Sequence, residues 1–183
     1  MNPHIKKFNK KIFLIGLRAT GKTSVGKLIA ESLSIPFYDL DDCIVQKADK
    51  SIKDIVSEWG WSKFRELEQK ELSYFLSIEK PVVVACGGGA VLHIDIWRSK
   101  KTEDDIVIWL DASIDEMAKR ILEDSKTDQQ RPTLINGLGL KEEIKKLKEQ
   151  RLSLYEELAD ITINTDLLDL ETVKKEILKR INI

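Results

Sequence analysis

Short apolar runs alternate with longer amphipathic segments along almost the whole chain. The apolar runs predict strands at about residues 11–15, 35–41, 82–85, 105–110 and 161–164. The segments with helical spacing predict helices at about 22–33, 42–48, 52–60, 62–78, 95–99, 113–122, 140–159 and 170–181. Strands that alternate with helices indicate an α/β protein with a mostly parallel sheet and helices on both faces.

One segment departs from this alternation. Residues 123–139 are polar and lack periodicity until Pro132, Leu134 and Ile135. A long irregular stretch inside a compact domain is usually a lid, a binding loop or a disordered insert. No repeat or linker divides the chain, so residues 1–183 are expected to form a single domain that contains this segment.

The composition limits the classes of function. The chain has 183 residues, of which 42% are hydrophobic and 33% charged, and a formal net charge of −1. This balance predicts no general affinity for nucleic acid or for an anionic membrane. The cysteines, Cys43 and Cys86, lie far apart without metal-site spacing, which favours free thiols in a reducing compartment. Without a signal peptide or an apolar run of roughly 20 residues, a cytoplasmic protein is expected.

The most specific pattern lies between the first strand and the first helix. Residues 16–23 read Gly-Leu-Arg-Ala-Thr-Gly-Lys-Thr and fit G-x-x-x-x-G-K-[ST]. The backbone N–H groups of such a loop and the positive end of the following helix form a cradle for phosphates. Lys22 is expected to reach the outer phosphates, and the Thr23 hydroxyl to bind Mg²⁺. The predicted ATP-binding residues of this loop are Ala19, Thr20, Gly21, Lys22, Thr23 and Ser24.

Acidic residues and glycines follow two other predicted strands. Asp39 and Asp41 close the second strand, and residues two apart in an extended segment point the same way. One acid could hold a Mg²⁺-bound water and the other could accept a proton from a hydroxyl nucleophile, but the pair could also cap the next helix. Gly87, Gly88 and Gly89 follow the third strand. They could let a ligand approach the backbone, or they could form a plain tight turn.

Four arginines are candidates for binding anions. Arg131 lies in the irregular segment, where a positive side chain could cover the phosphates. Arg65 lies in an amphipathic helix and Arg151 lies on a long charged helix, so a solvated face or an i,i+4 ion pair would also explain them. Arg120 is similarly ambiguous. A small anionic substrate would give several of these arginines a carboxylate to bind in bidentate fashion.

Six stretches occur in a definite order and spacing. They are residues 16–23, Asp39-Leu40-Asp41, Phe64-Arg65-Glu66-Leu67-Glu68, Gly87-Gly88-Gly89, Gln130-Arg131-Pro132 and Arg151-Leu152-Ser153-Leu154-Tyr155. Together they make the chain resemble the shikimate kinase family over nearly all of its length. The resemblance implies a three-layer P-loop kinase fold with a five-stranded parallel sheet, helices on both faces and a lid at about 123–139. It implies transfer of the ATP γ-phosphate to the 3-hydroxyl of shikimate, which gives shikimate 3-phosphate and ADP in aromatic amino acid biosynthesis.

The resemblance also implies catalytic and metal-binding residues. Lys22 matches the residue that neutralises phosphate charge, and Arg131 matches a lid arginine near the phosphates. Asp41 matches the residue that contacts the shikimate hydroxyls and acts as a base. Thr23 matches a Mg²⁺ ligand, and Asp39 matches the residue that holds the metal through water.

The same resemblance implies the binding residues for both substrates. Arg65 and Arg151 match the pair that grips the shikimate carboxylate, and Gly87, Gly88 and Gly89 match the backbone that contacts shikimate. Arg120 matches a position near the adenine. The expected partners are therefore shikimate and ATP, with no nucleic acid and no membrane, and the protein is expected to act as a monomer.

Three residues depart from the family's usual pattern. The family usually has glycine where Ala19 stands, so an alanine there is expected to require a φ below zero. It often has a small residue or proline at the position of Arg18, and a glutamate at that of Trp61. Neither His4 nor His93 has a partner pattern, so both are expected to be incidental.

Two other functions stay open on the sequence. Another small-metabolite kinase of the same fold, such as a gluconate kinase, would have the loop but would not explain the set of Arg65, Arg151 and the three glycines. A non-catalytic sensing module would be favoured by loss of Lys22, Asp41 or the arginine pair, all of which are present.

Overall fold

The computed structural model describes residues 8–123 and 138–183, and five strands within them form one sheet. The strands are β1 (Lys11–Ile15), β2 (Phe37–Asp39), β3 (Val82–Ala85), β4 (Asp105–Asp111) and β5 (Ile161–Asn164). Their spatial order is β2-β3-β1-β4-β5, and every neighbouring pair is parallel. Parallel neighbours need crossover connections, which the helices provide.

Seven α-helices and one short 3₁₀ helix are present in the described part of the chain. The helices are α1 (Lys22–Leu33), α2 (Leu40–Ala48), α3 (Ile52–Ser77), α4 (Ile94–Lys100), α5 (Ile114–Glu123), α6 (Leu140–Leu158) and α7 (Leu170–Arg180). The 3₁₀ helix spans Ala90–Leu92 and directly precedes α4. The alternation of strands and helices follows the prediction from the sequence.

Helices cover the sheet on both faces. All five positions of β1 are buried, and successive side chains point to opposite sides of the sheet. Phe13 and Ile15 pack with residues of α2 to α6 on one side, whereas Ile12 and Leu14 pack with residues of α1 and α7 on the other. The expected three-layer α/β fold with a five-stranded parallel sheet is confirmed.

The predicted elements differ from the structure in two places. β2 ends at Asp39, because the Asp39 side chain accepts a hydrogen bond from the Asp41 backbone and caps α2. Asp41 therefore lies in the first turn of a helix, and the extended segment predicted for it is wrong. The two helices predicted on either side of Gly60, by contrast, are observed: they are the two halves of α3 and meet at a kink, where Gly60 has the non-helical φ 79° and ψ 167°. The 3₁₀ helix has no counterpart in the prediction.

Three neighbouring strands of the sheet, β2, β3 and β1, deliver their following loops to one edge. In parallel α/β sheets, ligands bind outside the carboxyl ends of the strands. Most of the predicted lid, residues 124–137, lies outside the described residues, and with it Arg131. Across 8–123 and 138–183, no helix is long and apolar enough to cross a membrane.

Candidate active site

The loop between β1 and α1 is folded around the carbonyl of Leu17. Thr20 Oγ1 donates to this oxygen at 2.9 Å, and Lys22 Nζ donates to it at 2.6 Å. Gly21 has φ 91° and occupies the N-cap of α1, so the unpaired N–H groups of the first helical turn lie at the loop. Ser24 is exposed in that turn. The geometry suits an anion on the axis of α1.

Besides Gly21, two residues of the loop have a positive φ, for different reasons. Gly16 has φ 142°, and a Cβ added there would overlap the carbonyl of Leu110 on β4. Ala19 has φ 63°, so the prediction that an alanine here would have a negative φ is wrong. A left-handed conformation costs an L-residue roughly 1–2 kcal/mol. The loop therefore keeps the backbone that suits glycine while it carries an alanine.

Arg120 of α5 braces this loop from the side. Its Nη1 donates to the Ala19 carbonyl at 3.2 Å and to Thr165 Oγ1 at 3.1 Å, and its Nη2 donates to the Thr165 carbonyl at 2.8 Å. Its Nε donates to Glu116 Oε1 at 2.8 Å. Arg120 thus joins the loop to the segment after β5. Its contact with an adenine stays a prediction.

Asp39 connects the loop to α2. Thr23 Oγ1 donates to Asp39 Oδ2 at 2.7 Å, while Asp39 Oδ1 accepts the Asp41 backbone N–H at 3.1 Å. Asp39 therefore caps α2 and also lies next to the Thr23 hydroxyl. A capping role and a metal-binding role for Asp39 do not exclude each other. Hydroxyl and carboxylate oxygens are the ligand type that Mg²⁺ takes, usually with few protein ligands and several waters. In the described ranges, no group of three or more His, Cys, Asp or Glu side chains could hold a metal ion.

A pocket opens beside the loop and brings the other predicted residues together. Its charged lining residues are Arg18, Asp41, Arg65, Glu68 and Arg151, and Gly88 and Gly89 contribute backbone. Asp41 is 8% exposed, Glu68 is 1% exposed and Arg151 is 5% exposed. Charges removed from water interact more strongly with a ligand than charges on an open surface do.

Arg65 is held on several sides. It pairs with Glu68, one turn along α3, and its guanidinium carbon lies 5.5 Å from the ring centre of Trp61 and 5.2 Å from that of Phe64. A Cβ added at Gly89 would overlap the guanidinium, so only glycine leaves the space that Arg65 occupies. The aromatic faces and the carboxylate leave this arginine few alternative orientations.

Arg151 approaches the same pocket from α6. Its Nη1 donates to the Gly88 carbonyl at 2.9 Å, and the Tyr155 hydroxyl donates to that carbonyl at 3.1 Å. Burial lowers the pKa of the Arg151 guanidinium and raises the pKa of the Tyr155 hydroxyl. Arginine stays protonated in proteins even so, because its ordinary pKa is above about 12. The Tyr155 ring stacks on Trp109 at a centroid distance of 5.3 Å, which fixes this turn of α6.

The first glycine of the triplet keeps two carboxylates close to the backbone. A Cβ added at Gly87 would lie 2.7 Å from Asp41 Oδ1 and 2.8 Å from Glu68 Oε1. Gly87 and Gly89 are therefore required by close approach of side chains from α2 and α3, which a plain turn would not need, whereas a Cβ at Gly88 would make only ordinary contacts, the nearest to Arg151 Nη1 at 3.6 Å. Whether a ligand contacts their backbone stays a prediction.

Several residues of the site escaped the sequence reasoning. Glu68 pairs with Arg65. The spacing of a carboxylate three residues after an arginine on a helix could have predicted this ion pair. His93 was expected to be incidental, yet its Nε2 lies 3.0 Å from Glu68 Oε2. Arg18 Nη2 lies 3.7 Å from Oε1 of the buried Glu143 on α6. No local sequence pattern predicts this pair.

Comparisons with known proteins agree with one another. A family model described as shikimate kinase matches residues 18–182. The shikimate kinase of a Sulfurihydrogenibium species is 38% identical over 172 residues, which cover 94% of this chain and 98% of that protein. The structure of shikimate kinase from Acinetobacter baumannii in complex with shikimate superposes with a TM-score of 0.85 at 28% identity and covers 96% of this chain and 94% of that one. A gluconokinase from Sinorhizobium meliloti, at 20% identity and a TM-score of 0.67 over 95% of this chain and 92% of its own, shares the fold.

Proposed function

The chain belongs to the shikimate kinase family, a family of phosphotransferases, and we propose that it transfers the γ-phosphate of ATP to the 3-hydroxyl of shikimate. The products would be shikimate 3-phosphate and ADP, as a step of aromatic amino acid biosynthesis. One observation carries the proposal: Asp41, Arg65 and Arg151 line one pocket. This pocket lies at the mouth of residues 16–23, called the phosphate loop below. That set suits an acceptor with both a carboxylate and hydroxyl groups.

The two arginines are proposed to bind the substrate carboxylate. Arg65 and Arg151 lie on different helices, α3 and α6, and both line the pocket. Guanidinium groups form short, charge-assisted hydrogen bonds with carboxylates and fix their orientation. Arg151 also donates to the Gly88 carbonyl at 2.9 Å. The segment Gly87–Gly89, called the glycine loop below, and the Arg151 guanidinium would therefore move as one unit around the substrate. The backbone of Gly87, Gly88 and Gly89 is proposed to line the sugar-like ring.

Asp41 is proposed to contact the reacting hydroxyl and accept its proton. The side chain is 8% exposed and lies at the N-terminus of α2, close to Gly87. Phosphoryl transfer depends mainly on positioning and charge neutralisation, so this acid orients the nucleophile first and accepts the proton as the new bond forms.

The residues that bind ATP, called the donor side of the site below, are proposed to neutralise the charge of its phosphates. Lys22 donates to the Leu17 carbonyl at 2.6 Å, which holds its ammonium group inside the loop, and this group has three N–H donors with which it is proposed to bind the phosphates. The N–H groups of Ala19, Thr20 and Gly21 and the first turn of α1 are proposed to complete the cradle. Arg120 and Arg131 are proposed to bind ATP from the adenine side and from the lid, and Arg131 lies outside the described residues.

Mg²⁺ is the proposed cofactor. Thr23 Oγ1 and Asp39 Oδ2 lie 2.7 Å apart at the end of the loop, which supports a direct hydroxyl ligand and a carboxylate that holds a bound water. When bound, the ion would offset the negative charge of the phosphates. Thr23 and Asp39 would orient it relative to α1.

The setting of the enzyme follows from its substrates. We infer a cytoplasmic location, supported by the need for ATP and by the free thiols of Cys43 and Cys86. We also infer a monomer, because the described residues of one chain bring Asp41, Arg65 and Arg151 together in the proposed pocket.

A substrate panel tests the proposal. Purified protein with ATP and Mg²⁺ is given shikimate, gluconate or nucleoside monophosphates under identical conditions, and ADP release is measured. Turnover with shikimate alone is expected. Turnover with gluconate instead would assign another kinase of the same fold, and tight shikimate binding without turnover would assign a sensing module.

A further inference from the structure

His93 makes a buried contact that the proposed chemistry does not use directly. Its Nε2 lies 3.0 Å from Glu68 Oε2, and the two side chains are 11% and 1% exposed. The same Glu68 oxygen accepts a hydrogen bond from Arg65. We propose that His93 is a positioning residue that acts through Glu68 to hold Arg65 in the orientation that binds the acceptor carboxylate. The proposal rests on the function proposed above.

The direction of the hydrogen bond follows from the groups involved. An ionised carboxylate has only acceptors, so His93 must donate its Nε2–H to Glu68. The other carboxylate oxygen of Glu68, Oε1, is buried and has no hydrogen-bond partner within 8–123 and 138–183. A single oxygen therefore receives both Arg65 and His93. Without His93 the carboxylate keeps only Arg65, and the two side chains could turn together because they share one helix.

The backbone around His93 makes it a firm anchor. It lies between the Ala90–Leu92 turn and α4, where its N–H donates to the Ala90 carbonyl at 3.3 Å and its own carbonyl accepts the Trp97 N–H at 3.2 Å. The Trp97 side chain is fully buried and donates from Nε1 to the same Ala90 carbonyl at 2.9 Å. This turn follows directly on Gly87–Gly89. His93 therefore ties α3 to the glycine loop that lines the same pocket.

A purely structural role would have a different signature. If His93 only stabilised a buried carboxylate, its loss would lower the melting temperature and would affect both substrates alike. Glu68 already has Arg65 as its counter-ion, so the charge of His93 is not needed to neutralise it. A positioning role predicts an effect confined to the acceptor, because Arg65 lines the acceptor pocket and belongs to α3, not to the phosphate loop.

Steady-state kinetics of His93→Ala and His93→Gln test this role. For His93→Ala, the KM for shikimate should rise about tenfold, the scale of a hydrogen bond to a charged group, while kcat and the KM for ATP stay within about twofold. His93→Gln should recover most of that loss, because its amide can donate a hydrogen bond. Asp95→Ala, an exposed change in the first turn of α4, is the matched control and should leave all three constants unchanged.

A double-mutant cycle with Arg65→Lys tests whether His93 acts through Arg65. In that background His93→Ala should change the KM for shikimate by less than about twofold, since coupled residues are not additive. An equal effect in both backgrounds, an unchanged KM in His93→Ala, or a parallel rise in the KM for ATP overturns the proposal. If His93→Ala does not fold, His93→Asn replaces it, because its amide is too short to reach Glu68. Wild-type turnover with shikimate is measured first, so its absence refutes the proposed function, whereas losses confined to the variants bear on His93.

Discussion

The donor side and the acceptor side of the site are built from different materials. The phosphate loop is held by backbone and short polar contacts, with the Leu17 carbonyl at its centre and two left-handed residues in its turn. The acceptor pocket is held by buried charges, among them Glu68 at 1% and Arg151 at 5% exposure. The phosphate loop offers N–H groups that can bind any phosphate. The acceptor pocket offers fixed charges that match a ligand of one shape.

This difference separates the affinity for phosphate groups, which the loop provides, from the specificity for one acceptor, which the pocket provides. The loop at residues 16–23 can be recognised from local pattern because its geometry is set by neighbouring residues in the chain. The pocket draws on α2, α3, α6, the glycine loop and residues 17 and 18 of the phosphate loop. Asp41, Arg65 and Arg151 come from the helices, so a change in one of these side chains should affect the acceptor and leave the donor alone. The predictions that follow test this separation, beginning with the largest expected effect.

Asp41→Asn should separate chemistry from binding. Asparagine keeps the size and one oxygen but cannot accept the proton, so kcat should fall about 100-fold, the lower end for a lost general base. The dissociation constant of shikimate, measured by calorimetry, should change by less than the turnover does. Asp42→Asn, on the exposed neighbouring residue of α2, is the control. Equal turnover in Asp41→Asn and wild type would remove Asp41 from the role of base.

Arg151→Ala should disable the acceptor side and spare the donor side. The KM for shikimate should rise about 30-fold to 100-fold, because a charge-assisted hydrogen bond to the substrate is lost. The KM for ATP should stay within about twofold. Arg98→Ala is the matched control, since Arg98 forms an exposed ion pair with Glu157 at 2.8 Å and such pairs contribute little. A comparable rise in the KM for ATP would show that the two sides are one mechanical unit.

Thr23→Val should affect the donor side alone. Valine has nearly the shape of threonine but lacks the hydroxyl that lies 2.7 Å from Asp39. The Mg²⁺ concentration for half-maximal turnover should rise about tenfold, because one proposed oxygen ligand is lost. Ser32→Ala, at the far end of α1, should leave that concentration unchanged. A rise in the KM for shikimate with an unchanged Mg²⁺ dependence would contradict the assignment.

The sequence allowed much more of the donor side than of the acceptor side to be predicted from physics alone. The strand, loop and helix that frame Lys22 follow from local periodicity. The contact between His93 and Glu68 joins residues that are 25 apart, so no local spacing could have indicated it. Asp41 was misplaced because a side chain, Asp39, ended the strand and began the helix two residues earlier than the apolar pattern suggested.

The backbone of the phosphate loop shows the other limit of local reasoning. The resemblance to the family identifies Ala19 as unusual, but the sign of its φ depends on how the loop closes against distant groups. Arg120, 101 residues further on, donates to the Ala19 carbonyl. Tertiary contacts of this kind can hold a residue in a costly conformation when the surroundings over-determine it. The alanine therefore marks a place where the fold overrides the residue's own preference.

Ala19→Gly is the smallest and the most discriminating change, because it alters only backbone preference. Removing the left-handed strain gains roughly 1–2 kcal/mol, and the extra freedom of glycine in the unfolded chain costs about 0.4–1 kcal/mol. The free energy of unfolding should therefore rise by about 0.5–1 kcal/mol, which for a domain of this size raises the melting temperature by roughly 1–4 °C. Ser34→Gly, at φ 54° on the far end of α1, should stabilise similarly without touching the site. If Ala19→Gly lowers stability while Ser34→Gly raises it, the methyl group of Ala19 packs usefully in the loop and the strain argument fails. If both raise stability and the KM for ATP stays within about twofold, the donor side derives its geometry from contacts around the loop and tolerates either residue at its turn.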